Sequence, residues 1–216
     1  STIGVIGGTN VQLAHDPKTD RVVVIEINPR TSRSSALASK ATGFPIAMVS
    51  TLLAAGLTLD EIPYWRDGTL ERYTPDGDYV VVKFARWAFE KFPGSIDKLG
   101  TQMRAVGEVM SIGASYKEGF GKAIRGLENG RTGLGGAKDF ASLSLAELLH
   151  RLADPTSERQ YLMYEALKAG ATVEQLVELT HIKAWFVQQM KEMVQLERAI
   201  GAYGGDRFDQ LPDDLL

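Results

Sequence analysis

Between Asn129 and Lys138 the chain reads Asn-Gly-Arg-Thr-Gly-Leu-Gly-Gly-Ala-Lys, and its character changes across that stretch. Before it, Val- and Ile-rich runs alternate with helical patterns. After it no strand pattern appears. Capping boxes open helices there instead: Ser144 with Glu147, Ser157 with Gln160, and Thr172 with Gln175. A fourth helix is expected from about His181 to Ile200, with Thr180 as its N-cap. The shift predicts an α/β portion over residues 1–130 and an all-α portion over 131–216. The Gly135-Gly136 pair lacks the G-x-G-x-x-G spacing and a preceding strand, so it reads as a linker rather than a dinucleotide loop.

Charge and composition narrow the function classes. With 24 Lys and Arg against 27 Asp and Glu, the net charge of −3 gives no electrostatic reason to expect nucleic acid or an anionic membrane as partner. The longest apolar stretch, Pro45 to Leu57, is too short to span a bilayer. The expected location is the cytoplasm. Absence of Cys removes disulfides, thiolate zinc sites and a cysteine nucleophile together. Any chemistry must rest on oxygen ligands, arginines and backbone groups. Ser1 in place of Met, and a helix-like opening at Pro212-Asp213-Asp214, lead to the expectation that the chain is part of a longer one.

Within the α/β portion, Asn10 to His15 and Arg21 to Ile27 flank the turn cluster Asp16-Pro17-Lys18-Thr19-Asp20 and predict a hairpin. Helices are expected from Ser34 to Ala41, from Pro45 to Leu57, briefly after Thr58, and from Lys117 to Glu128. Tyr79 to Phe84 and Gly107 to Ile112 are the remaining strand candidates.

The informative stretch is Val22 to Arg33. Side chains alternate along a strand, so Glu26 and Asn28 share one face while Val23, Ile25 and Ile27 are expected to face a core. A carboxylate and an amide oxygen converging on one spot make a hard-oxygen pocket suited to Mg²⁺ or Mn²⁺, and Gln12 on the neighbouring strand is placed to join them. Arg30 and Arg33 follow at once. Guanidinium groups beside a divalent site are what phosphoryl transfer requires, because its catalysis is mainly positioning and charge neutralisation. Ser34 and Ser35 then open a helix whose N–H groups add anion affinity. The bare pattern leaves a second reading open: an exposed strand carboxylate, a turn and two surface arginines.

Resemblance favours the first reading. Glu26-Ile27-Asn28-Pro29-Arg30 resembles the metal-binding segment of ATP-grasp enzymes, and the run from Asn28 to Ala47 resembles the large subunit of carbamoyl phosphate synthases. The wording from Ser32 to Lys40 is similar to the first of that subunit's two ATP-grasp halves. Further likenesses are Gly7 to Gln12, Asp78 to Val81, Phe89 to Phe92 and Thr101 to Met110. Leu179 to Phe186 resembles the helical oligomerisation domain that follows the first half.

The resemblance implies a partial ATP-grasp domain, with a mixed or antiparallel sheet and helices, followed by part of that helical domain. It implies that Gln12, Glu26 and Asn28 bind the metals bridging the ATP phosphates, and that Arg30 and Arg33 hold phosphate and carboxyphosphate. The implied reaction joins ATP, bicarbonate and ammonia from a glutaminase small subunit into carbamoyl phosphate, for arginine and pyrimidine biosynthesis. Such a site also needs a Gly-rich lid and an adenine clamp. This chain has neither, so it is expected to hold one wall of the site and to be inactive alone. The alternatives are another ATP-grasp ligase, such as a biotin carboxylase, and a non-catalytic helical interaction module.

The helical portion carries one further expectation. Ile182, Trp185, Phe186, Met193, Leu196 and Ile200 trace an apolar face, which predicts exposed apolar surface near Trp185 and Phe186 and self-association through it. The Trp65, Trp87, Tyr64 and Phe89 aromatics read as packing residues, His15 as a solvated loop residue and Lys40 as a helix-surface lysine.

Overall fold

The computed structural model describes residues 4–64, 68–70, 73–74, 76–136 and 139–203. The chain divides into two compact units, Ser1–Asp78 and Tyr79–Leu216. The Gly-rich turn at which the composition changes therefore lies inside the second unit.

The first unit opens with a hairpin of β1 (Asn10–Asp16) and β2 (Arg21–Asn28). Helices α1 (Arg33–Thr42) and α2 (Ile46–Ala54) follow, then two short paired strands, β3 (Pro63–Tyr64) and β4 (Gly68–Thr69). Ser32 caps α1, and Gly43 closes it in the left-handed conformation at φ 75°. Val49, Ile62 and Leu70 form a small core with Phe44, Leu52, Leu53, Leu57 and Tyr73. The hairpin does not join that core: Val23, Ile25 and Ile27, expected to face one, are 37%, 62% and 43% exposed. Thr58 binds the Glu61 carboxylate through both its N–H and its hydroxyl, yet the segment is a turn and not the helix expected there.

In the second unit, β5 (Val80–Arg86) pairs antiparallel with β6 (Gly107–Gly113), and α3 (Tyr116–Gly126) covers the pair. Among the described residues four further α-helices follow: α4 (Leu145–Leu152), α5 (Arg159–Lys168), α6 (Val173–Thr180) and α7 (Ala184–Ala202). One core runs through all of them, from Val82 and Phe84 through Phe120 and Ile124 to Leu148, Met163, Leu176 and Val187. Helix α5 is buried at every position from Tyr161 to Leu167, as a central helix without a polar face must be. The strands and α3 share this core with α4–α7, so the change from strands to helices does not separate compact bodies.

Two of the three expected capping boxes form, at Ser144/Glu147 and Thr172/Gln175. The third does not. Ser157 donates instead to Asp97, through its N–H at 2.9 Å and its hydroxyl at 2.6 Å, and α5 starts at Arg159 without a side-chain cap. Thr180 does not cap α7 either. It ends α6, where its hydroxyl donates back to the Leu176 carbonyl at 2.6 Å, and His181 leaves the helix at φ 57°. Glu128 takes the same left-handed region at φ 51° just beyond α3.

Helix α7 buries Val187, Met190 and Val194, a stripe the sequence reading did not single out. The expected stripe lies partly outside it, with Trp185 54% and Phe186 44% exposed. Both rings pack against Tyr116 of α3, Trp185 edge-on and Phe186 tilted, at centroid distances of 5.1 and 5.7 Å.

Candidate functional site

The hairpin is closed by the turn that the Asp-Pro cluster predicts: Asp16 accepts from the Lys18 N–H at 3.0 Å and the Thr19 hydroxyl at 2.7 Å. Those bonds hold the Asp16 carboxyl below its ordinary value, the Lys18 N–H contributing most. His15, solvated as expected but part of β1, meets Asp20 at 2.8 Å. Pairing places Gln12 opposite Glu26 and Asn10 opposite Asn28, with a register shift between Gln12 and Leu13 that leaves Ile25 as the extra residue.

This register brings three of the expected residues together. The Gln12 side-chain amide donates to Glu26 Oε1 at 2.6 Å, and the Asn28 amide donates to the same oxygen at 2.8 Å. The trio sits where β2 ends at Pro29. The chain then turns, the Arg30 N–H donating to the Asn28 carbonyl at 2.8 Å. Arg30 lies in that turn and Arg33 is the first residue of α1, both exposed.

Ser35, expected to present a helix N–H to an anion, is engaged in the cap: its N–H donates to Ser32 Oγ at 3.3 Å and its hydroxyl accepts from the Ser32 N–H at 3.1 Å. The first turn of α1 carries no acidic residue, so its dipole stays open to an anion.

Among the described residues no group of three His, Cys, Asp or Glu side chains could hold a metal. The trio offers another donor set, one carboxylate and two amides. Both amides now point their nitrogens at Glu26, but a half-turn of each would aim Oε1 of Gln12 and Oδ1 of Asn28 at the same place. Such a set fits Mg²⁺ or Mn²⁺, which bind through few carboxylates and complete their shell with water and substrate phosphates.

Gly7 and Gly8, just before β1, approach α2 closely. The Gly8 N–H donates to Ser50 Oγ of α2 at 2.7 Å, and a Cβ on Gly7 would stand 2.8 Å from that oxygen. The segment leading into the Gln12 strand is thus pinned to the helices that follow the arginines. A glycine pair beside a strand is the signal for such an approach. Lys40 is exposed in the last turn of α1, where a cation complements the helix dipole. Trp87 packs against the second core, edge-on to Phe84, while Trp65 and the Tyr64 side chain lie outside the described residues.

Comparison with known proteins bears on both units. Residues 1–62 match the model of the carbamoyl-phosphate synthase L chain ATP binding domain, and 108–216 that of the carbamoyl-phosphate synthetase large chain oligomerisation domain. The carbamoyl phosphate synthase large chain of Thermotoga neapolitana is 52% identical over 196 residues, which cover 90% of this chain and 17% of that protein. That of Archaeoglobus fulgidus is 48% identical over 197 residues, covering 90% and 18%. That of Vibrio vulnificus is 47% identical over 213 residues, covering 97% and 20%. The chain spans at most about a fifth of the length of these relatives.

Proposed function

Because this chain belongs to the carbamoyl phosphate synthase large-chain family and carries parts of its ATP-binding and oligomerisation domains, we propose that it supplies one wall of the site where ATP phosphorylates bicarbonate. The observation that carries this reading is the convergence of Gln12 and Asn28 on a single oxygen of Glu26. In that reading Glu26 is the charged ligand of Mg²⁺ or Mn²⁺, and Gln12 and Asn28 complete the protein's share of the coordination. What a divalent cation supplies there is neutralisation of phosphate charge.

Arg30 and Arg33 hold the transferring phosphoryl oxygens and the carboxyphosphate that bicarbonate becomes, each guanidinium offering paired donors. The later steps belong to the longer protein: ammonia from a glutaminase small subunit gives carbamate, and a second ATP gives carbamoyl phosphate for arginine and pyrimidine biosynthesis. We place that chemistry in the cytoplasm. No helix among the described residues is long and apolar enough to cross a membrane. The helical residues mediate self-association, and the relatives named above support this reading over a biotin carboxylase.

The test uses the full-length protein that contains this chain. Glu26→Gln keeps the shape of a ligand and removes its charge, so bicarbonate-dependent ATP hydrolysis should fall at least ~100-fold with the circular dichroism unchanged. Wild-type turnover in that variant would reduce the motif to a strand end and a turn.

A further inference from the structure

At the end of β5 a cavity of about 230 Å³ opens between Arg86-Trp87, the Gly-rich turn and the start of α5. Two buried side chains that line it carry polar atoms without a hydrogen-bond partner: Arg131, 8% exposed, at Nη1, and Tyr161, 3% exposed, at its hydroxyl. The Arg131 guanidinium lies 3.6 Å from the centroid of the Tyr161 ring, and its Nη2 donates to Glu158 at 2.5 Å. Each unmade bond carries a desolvation penalty that an incoming oxygen would relieve.

Glu158 is also the N-cap residue of α5, and it makes no side-chain cap bond there. The positive end of the α5 dipole therefore adds to the same locus. Across the cavity Arg86 is paired with Glu90 at 2.5 Å. The two ion pairs balance, so attraction rests on the unpartnered donors and the helix terminus. Phe84, Ala85, Trp87 and Leu127 give the cavity an apolar wall, and Asn129 and Ser157 complete its polar lining.

We propose that this cavity binds a small planar carboxylate, its oxygens on Arg131 and the Tyr161 hydroxyl and its body against the apolar wall. The volume lies below the ~300–1,000 Å³ of pockets for drug-sized ligands, so a nucleotide does not fit. The expected Kd is on the order of 1 mM, as a ligand of few atoms with balanced surroundings requires.

Calorimetric titration of the 216-residue chain with benzoate tests this, with benzamide as the neutral arm. Benzoate should bind, and benzamide about tenfold more weakly, because a hydrogen bond to a charged acceptor is the stronger one. Arg131→Gln should abolish benzoate binding. Tyr161→Phe should weaken it about tenfold while leaving the thermal midpoint unchanged or higher, since the hydroxyl has no partner to lose. The proposal is overturned by no benzoate binding at tens of millimolar, by equal affinity for benzamide, or by a Tyr161→Phe variant that keeps full affinity. A lowered midpoint in that variant would overturn it too, by showing that the hydroxyl is already satisfied within the fold.

Discussion

The Tyr164 hydroxyl on α5 donates to Glu197 on α7 at 2.6 Å, and Lys168, one turn further along α5, meets the same carboxylate at 2.7 Å. Burial pushes the Glu197 carboxyl up, but bonds from Lys168 and Tyr164 and the charges of Lys168 and Arg198 outweigh it and leave the group below its ordinary value. The same contact works the other way on Tyr164. Burial first, then Glu197, drives its phenol far above the ordinary value of 10.0.

Tyr164→Phe should cost about 1.5 kcal/mol in urea unfolding at neutral pH, the contribution of a hydrogen bond to a charged group. The sign of the pH dependence follows from the raised phenol. Its stabilisation is complete below pH 10.0 and is lost as pH rises beyond that value. The alkaline loss of stability should therefore be smaller in the variant than in the wild type.

On the acid side the capping box of α4 is the sensitive point. Bonds from the Ser144 hydroxyl and then its N–H hold Glu147 below its ordinary 4.5. A lowered carboxyl stabilises the fold above that value and stops doing so as pH falls through the depressed one. Glu147→Gln keeps an acceptor but cannot titrate. The urea midpoint of the variant should vary less than the wild type's between roughly pH 6 and pH 3.

Two apolar substitutions separate core from surface in the helical region. Met163 is 1% exposed, so Met163→Ala should cost about 2–5 kcal/mol. Trp185 is 54% exposed, and Trp185→Ala should change stability far less. It should instead weaken self-association measured by sedimentation velocity. A Trp185→Ala variant that associates like the wild type would assign the contact to another face.

These contrasts also mark what could be read from the sequence. Ser144 and Thr172 were legible as caps because their partners lie three residues away in the same turn. Ser157 has the same local spacing but was captured by Asp97, sixty residues earlier, which no local pattern announces. Thr180 misled for a different reason: a hydroxyl that can cap one helix can also bond back into the one before it.

In the candidate site, alternation along β2 was enough to place Glu26 beside Asn28, and hairpin pairing supplied Gln12. The same alternation misjudged Ile25. Period-2 reasoning says which face a residue takes, not whether anything covers that face. Arg131 gave no signal at all, because a lone arginine in a Gly-rich turn looks solvated until α5 closes over it.

The exposed hairpin leads to a prediction about the chain by itself. Glu26 is open to water on a ribbon that is exposed along nearly all of both strands. Positioning catalysis needs reactants held in place and shielded from solvent. The 216-residue chain should show no bicarbonate-dependent ATP hydrolysis above a Glu26→Ala control in a phosphate-release assay. Turnover above that control would place the active site elsewhere.

Glu128 has a practical consequence for anyone wishing to use this chain as a scaffold. Its left-handed φ of 51° costs an L-residue something a glycine would not incur, and its side chain is exposed. The helix exit at Glu128 is therefore a point where thermal tolerance can be gained by a single replacement. It lies in the second compact unit, whereas the Gln12–Glu26–Asn28 trio lies in the first. Hardening that helix exit and redesigning the Gln12–Glu26–Asn28 trio are thus separable engineering problems, to be pursued on different parts of the gene.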